Sequence, residues 1–187
     1  MVTNSFSEKV INWYELHGRH DLQWRKAITP YRIWISEIML QQTQVVTVKP
    51  YFKKFIKKYP TLKSIQDASE DEILTLWSGL GFYKRARNIF RTKEIIHSEH
   101  KGRFPKTFEE IIKLPGIGKS TAGAIMSIAH QIPTPILDGN VKRILQRYFS
   151  DGKNIFSEKE LWDLSLSVSN ATNSNLFTQG IMDIGAT

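Results

Sequence analysis

From Phe6 onward the apolar residues recur at three-to-four spacing, and no alternating β-branched run is bounded by Asn-Gly or Asp-Gly hairpin signals. That period belongs to the α-helix, where positions i, i+3 and i+4 share a face; a half-buried strand needs a period of two. Phe6, Val10, Trp13, Tyr14 and Leu16 form the first stripe, which Gly18 stops. Pro30 opens a second with Trp34, Ile35, Ile38 and Met39, and a third, from Val45 through Val48, Phe52, Phe55 and Ile56, runs to Pro60. Three capping boxes then mark helix starts: Ser69-x-x-Glu72, Thr107-x-x-Glu110 and Ser157-x-x-Glu160. Each offers an acceptor and a reciprocal carboxylate to a first turn whose amides have no helical partner. Further helices are predicted over about 83–99, 119–131, 140–149 and 176–184. Neither Asp138-Gly139 nor Asp151-Gly152 separates strand-like runs, so neither reads as a β-hairpin turn. The expected fold class is all-α, and the Pro-rich joint Ile132-Pro133-Thr134-Pro135 is the expected lobe boundary.

Charge points to a partner. Twenty-six Lys and Arg stand against 18 Asp and Glu, a net charge of +8 on an otherwise ordinary globular composition of 41% hydrophobic and 24% charged residues. Such a surface attracts polyanions, nucleic acid first among them. No apolar run approaches the roughly 20 residues that span a bilayer, and the start, Met1 to Glu8, has no signal-peptide core. Neither membrane insertion nor secretion is expected. The absence of cysteine excludes disulfides, thiolate nucleophiles, zinc fingers and iron–sulfur ligation within this chain. Histidines 17, 20, 97, 100 and 130 lack ligand spacing, so no metal site is expected.

Leu114-Pro115-Gly116-Ile117-Gly118-Lys119-Ser120-Thr121 lies between two helical patterns. Its tail resembles a P-loop, but Lys113 stands where that motif needs glycine, and a capped helix precedes it where the motif needs a strand. A helix–hairpin–helix fits better. Two glycines permit positive φ and clear side chains from an approaching phosphate, and the turn amides with the next helix N-terminus would favour an anion. Lys119 adds a neutralising charge. Such contacts hold a DNA backbone without reading its sequence. The same pattern also suits a plain turn between packed helices.

Two carboxylates stand out. Glu37 lies among large apolar neighbours in Trp34-Ile35-Ser36-Glu37-Ile38-Met39-Leu40, and helical continuation would place Glu37, Gln41 and Gln44 on one face. Amides suit a base edge, and apolar surroundings favour the neutral form of a carboxyl, which suits proton donation. A solvated helix face is the alternative. Asp138, in Ile136-Leu137-Asp138-Gly139-Asn140, precedes a basic helix with Lys142, Arg143 and Arg147; a plain N-terminal cap explains it equally, and the two roles are compatible. The turn Gly79-Leu80-Gly81-Phe82-Tyr83 followed by Lys84, Arg85 and Arg87 offers aromatics that can wedge into a base stack and cations that can hold phosphates. It reads also as a core aromatic beside a solvated helix. The Lys53-Lys54 and Lys57-Lys58 pairs read as a solvated face.

Together these segments, with Leu22-Gln23-Trp24-Arg25 and the run from Pro30 to Val45, resemble the MutY-type adenine DNA glycosylases of the endonuclease III-like helix–hairpin–helix superfamily, over nearly the whole chain. The resemblance implies removal of adenine mispaired with 8-oxoguanine or guanine in double-stranded DNA. It implies that Glu37 protonates the departing base and that Asp138 stabilises the cationic sugar, a division of labour seen between paired carboxylates in glycoside hydrolysis. Trp24, Arg25, Leu40 and Gln179 match positions around an extruded adenine, with Gln23 where the family commonly has proline. Gln42, Thr43, Leu80 and Phe82 match the lesion side and wedge, Phe82 standing where tyrosine is common. Asn140 matches a residue beside the catalytic aspartate, and Gly116, Gly118 and Lys119 match backbone contacts.

Ser120 occupies the substrate-side hairpin position where glycosylase-lyases carry a Schiff-base lysine, which implies a monofunctional enzyme. The family's [4Fe–4S] cluster is held by four cysteines that would lie beyond Thr187, so this chain is expected to be a truncated piece, without that cluster and without the C-terminal lesion-recognition domain. Expected further are a two-lobed fold (one lobe of six helices over about 30–133, the other from 1–29 and 134–187) with DNA in the cleft, a monomeric state and, for a bacterial source, a cytoplasmic, nucleoid-associated location. The competing readings are an endonuclease III-like glycosylase-lyase for oxidised pyrimidines and a catalytically inert DNA-binding fragment.

Overall fold

The computed structural model describes residues 2–150, 152, 155–169 and 173–187, so Asp151 falls outside the described residues. In chain order the helices are α1 (Val2–His17), α2 (Gln23–Lys26), α3 (Pro30–Leu40), α4 (Val45–Lys58), α5 (Leu62–Ile65), α6 (Glu70–Trp77), α7 (Lys84–Glu99), α8 (Phe108–Ile111), α9 (Lys119–Ala129), α10 (Gly139–Phe149), α11 (Glu158–Ser169) and α12 (Ser174–Ile184). Among the described residues there is no strand, as the helical spacing requires.

Several helices begin where a local side chain satisfies their first amides. At α3, Thr29 Oγ1 accepts from Arg32 N at 3.2 Å and Pro30 takes the first helical position, where a missing N–H costs nothing. Ser69 and Glu72 form a complete box at α6, with amide–side-chain distances of 3.2 and 2.9 Å, and Ser157 and Glu160 form another before α11 at 3.3 and 2.7 Å. Thr107 caps Glu110 N at 3.3 Å, but its hydroxyl rather than its amide donates to Glu110 Oε2, at 2.8 Å. The bond from the Ser69 amide holds the Glu72 carboxyl below its ordinary range, and the hydroxyls of Thr107 and Ser157 do the same for Glu110 and Glu160. A further box, Thr61 with Ser64, starts α5.

One helix stops early. α3 ends at Leu40, Gln42 is left-handed at φ 56°, and Gln44 is the N-cap of α4. The expected common face of Glu37, Gln41 and Gln44 is therefore corrected: a turn intervenes.

The chain divides into two compact units, 21–118 and a second made of 1–20 with 119–187. Both joints fall earlier than the expected 29/30 and 133/134, because α2 packs on α3 and α4, and α9 packs on α12. In the 21–118 unit, α3 packs on α4 and α7, and α6 on α4 and α7, around Trp34, Phe52, Phe55, Ile73, Trp77 and Ile89. In the other unit α12 is central, packing on α1, α9 and α10, while α11 rests on α1 and α10. Its core includes Val10, Tyr14, Ile125, Leu145, Phe177 and Ile181.

Candidate active site

The predicted residues divide between the units. In the 21–118 unit, Glu37 sits half-buried in the last turn of α3, between buried Ser36 and buried Ile38 and Met39. Its main-chain carbonyl accepts from Gln41 N at 3.2 Å. Leu40 is half-buried, Gln42 exposed, and Thr43 N closes the turn onto Leu40 O at 3.2 Å. The amide of the Gln41 side chain reaches the hairpin loop, donating to Gly116 O at 3.1 Å, and Thr92 of α7 donates to Pro115 O at 3.2 Å. Trp24 is buried edge-on against Phe52 with centroids 5.2 Å apart, and Arg25 beside it is half-buried.

The hairpin loop runs from α8, a helix and not the strand a P-loop needs, to α9. Gly116 has φ 78°, and a Cβ there would come within 3.0 Å of Asn88 Cβ. Gly118 departs from expectation: it has no positive φ, and the space where its Cβ would stand is open. Its value there is a bare, accessible backbone.

Beyond Trp77, the loop 79–83 turns the chain into α7. Phe82 is 58% exposed with φ 49°, Tyr83 is exposed too, but Leu80 is buried and forms part of the core. An open cavity of about 690 Å³ is lined by Gln41 and Gln42 from the turn after α3 and by residues 82–85, 87 and 88. Lys84 and Arg87 are exposed, as phosphate-facing cations would be. Arg85 is not. It is 6% exposed, and its guanidinium donates to the carbonyls of Ile38, Met39 and Gln41 and of Leu80 and Gly81. Sequence reasoning grouped Arg85 with the phosphate-holding cations and missed this. Its place on the buried stripe with Ile89, Thr92, Lys93 and Ile96 was the available signal.

In the unit containing 119–187, Asp138 caps α10, its Oδ1 accepting from Val141 N at 2.8 Å. The preceding extended segment is sewn to α9. Ser127 Oγ donates to Thr134 O at 2.9 Å and accepts from Thr134 N at 3.1 Å, while Ser120 Oγ accepts from Leu137 N at 3.1 Å. Between them a Cβ on Gly123 would stand 2.3 Å from Pro135 O, so only glycine lets the segment lie this close. From α11, Ser165 donates to Ile136 O at 2.7 Å. The Ser120 hydroxyl thus anchors the backbone one residue before Asp138. Lys119 Nζ lies 5.1 Å from the centre of the Trp162 ring, at the exposed start of α9. Asn140 Oδ1 accepts from Arg143 at 2.6 Å. Gln179 is 3% exposed, accepting from Tyr14 Oη at 3.2 Å and donating to Asn175 Oδ1.

The sequence has no cysteine, so nothing in this chain can supply thiolates to an iron–sulfur cluster. Among the described residues no group of three or more His, Asp or Glu side chains could hold a metal ion. None of the helices is long and apolar enough to cross a membrane, among the described residues.

The chain is 53% identical over 184 residues to the adenine DNA glycosylase of Buchnera aphidicola subsp. Acyrthosiphon pisum, covering 97% of this chain and 53% of that protein. It is 39% identical over 195 residues to the adenine DNA glycosylase of Rattus norvegicus, covering 98% and 38%. The chain thus spans about half the length of the bacterial relative or less of the mammalian one. Among solved structures, a thermostable thymine-DNA glycosylase superposes with a TM-score of 0.88 at 28% identity, covering 98% of this chain and 86% of that one. A trapped endonuclease III–DNA covalent intermediate shares the fold, with a TM-score of 0.75 at 20% identity, covering 95% and 81%. Residues 35–165 match the model of one family, which takes in Glu37, the Phe82 loop, the hairpin and Asp138: the chain belongs to the HhH-GPD superfamily of base excision DNA repair proteins.

Proposed function

We propose that this chain carries the catalytic machinery of an adenine DNA glycosylase, hydrolysing the N-glycosidic bond of adenine mispaired with 8-oxoguanine or guanine in double-stranded DNA. The observation that carries this reading is the 53% identity to the Buchnera protein of that name across 97% of the chain. In the reaction the bond from sugar to base breaks, a water oxygen joins the sugar, and the base leaves as free adenine. A neutral purine leaves poorly, so a proton must reach its ring as the bond breaks. Glu37 is the donor in this reading. The sugar gathers positive charge, and Asp138 supplies the opposing anion at the head of α10.

The remaining residues bind. Gln42, Thr43 and Phe82 serve the mispair from the turn after α3 and from the exposed loop, with Leu80 beneath as support. Trp24, Arg25 and Leu40 serve the extruded base, and Gln179, bonded to Tyr14 and Asn175, is assigned to the same role. Gly116, Gly118 and Lys119 take the phosphate backbone, and Asn140 and Ser120 support the segment bearing Asp138. With serine at residue 120, no hairpin amine is available there for a Schiff base, so strand cleavage is absent.

One assay tests the reading. The chain is incubated with duplexes carrying adenine opposite 8-oxoguanine or an oxidised pyrimidine, and free base and strand breaks are scored before and after alkali. Release of adenine with breaks only after alkali, abolished by Glu37→Gln while DNA binding persists, is the expected result. Direct strand cleavage, or a borohydride-stable adduct in high yield, indicates a lyase; binding without release indicates an inert DNA-binding module.

A further inference from the structure

We propose that Arg85 is a positioning residue that sets the Phe82 loop against the turn after the Glu37 helix, and so decides how well the chain tells a mispair from a matched pair. This rests on the functional reading above for its substrate. The geometry behind it lies within the 21–118 unit. One amino group of the guanidinium donates to Ile38 O at 3.3 Å, Met39 O at 2.6 Å and Gln41 O at 2.5 Å, and the other to Leu80 O at 3.4 Å and Gly81 O at 3.2 Å.

Those acceptors belong to the C-terminal end of α3 with the turn after it, and to the loop that leads into α7. Ile38 and Met39 lie in the last turn of α3, whose carbonyls have no helical partner and whose dipole favours a cation. Gln42 and Phe82, one in each segment, are left-handed non-glycine residues at φ 56° and 49°, conformations that persist only where the surroundings enforce them. Trp77 Nε1 adds a bond to Gly81 O at 3.1 Å, and the Arg85 guanidinium carbon lies 5.3 Å from the centre of the Phe82 ring. Both segments wall the open cavity. A single buried fork therefore fixes the spacing of Gln42 and Phe82 across it. Lysine keeps the charge but offers a point donor in place of the planar fork, and cannot serve both groups of carbonyls in this geometry.

The test uses the whole chain, a duplex with adenine opposite 8-oxoguanine and 2-aminopurine beside the mispair, and the matched duplex. Wild type is expected to prefer the mispair and to raise 2-aminopurine fluorescence as the neighbouring stack opens. Arg85→Lys, with helical circular dichroism intact, should lose about tenfold of that preference and most of the fluorescence rise, while matched-duplex affinity falls far less. Phe82→Ala combined with Arg85→Lys should be no worse than the poorer single variant, because the arginine acts through the loop. Full preference in Arg85→Lys, or losses that multiply in the double variant, would overturn the proposal. Should Arg85→Lys fail to fold, Gly81→Ala takes its place: it strains the loop at φ 77°, with no atom within 4 Å to obstruct it, and leaves the guanidinium alone. Unchanged preference there equally overturns the proposal. A wild-type chain with no preference at all refutes the functional reading, and the role of Arg85 in discrimination with it.

Discussion

Replacing Asp138 in two ways separates its structural bond from its charge. The 2.8 Å bond from Val141 N satisfies one of the orphan amides of α10. Asparagine caps as well as aspartate, so Asp138→Asn keeps that bond and loses the anion and its favourable position at the helix dipole. Asp138→Ala loses both. Removing a cap costs about 1 kcal/mol, and for a chain of this size each kcal/mol moves the melting temperature by roughly 2–4 °C. Asp138→Ala should therefore melt about 2–4 °C below wild type, and Asp138→Asn within about 1 °C of it. Both should lose adenine release by on the order of 10²-fold or more, the scale on which removing one electrostatic stabiliser acts. The assays are a thermal melt followed by circular dichroism and single-turnover release from the mispaired duplex. An asparagine variant as unstable as the alanine one would refute the cap; one that releases adenine at the wild-type rate would refute the anion's role.

Three further outcomes are expected. Lys119→Ala should weaken matched and mispaired duplexes by the same factor and lower the salt slope of binding by about 1, because a phosphate contact carries no sequence information; titrations at several salt concentrations check it. Gly123→Ala should destabilise the chain by about 1–3 kcal/mol in urea, since its Cβ would meet the unyielding carbonyl of Pro135 at 2.3 Å. Glu72, Glu110 and Glu160 titrate below their ordinary value of 4.5 in the folded chain, so their contribution is present in full above that pH and is lost as pH falls through the folded values. Melting temperature should drop through that acid range, and the triple Glu→Gln variant should drop less steeply.

Caps were legible in the sequence because their chemistry is local. Ser69 with Glu72, Ser157 with Glu160 and Asp138 each meet their partners within one turn, so spacing alone finds them. The end of α3 was not, since Gln41 to Gln44 read as acceptable helix and the guanidinium that takes the carbonyls of Met39 and Gln41 comes from Arg85, more than forty positions away. The bond that Ser120 accepts escaped for the same reason: its donor, Leu137 N, is brought to it by the close passage over Gly123. The carboxylates and the hairpin could be singled out by residue type, but Leu80 and Phe82, neighbours in one short motif, go to opposite fates of core and surface. Alternation in a loop follows the backbone turn and has no period to read.

The order of the two units along the chain bears on how the protein is made. Residues 21–118 are consecutive, so every partner within that unit has left the ribosome once Gly118 has. The other unit must wait: Ser7 is bonded to Val168 and Tyr14 to Gln179, partners separated by 161 and 165 positions. During synthesis α1 therefore spends most of the elongation time with its apolar stripe unpaired, an invitation to chaperones and to self-association. Closure of that unit is the late, slow event, and its vulnerability is highest while the segment carrying α12 is still being translated.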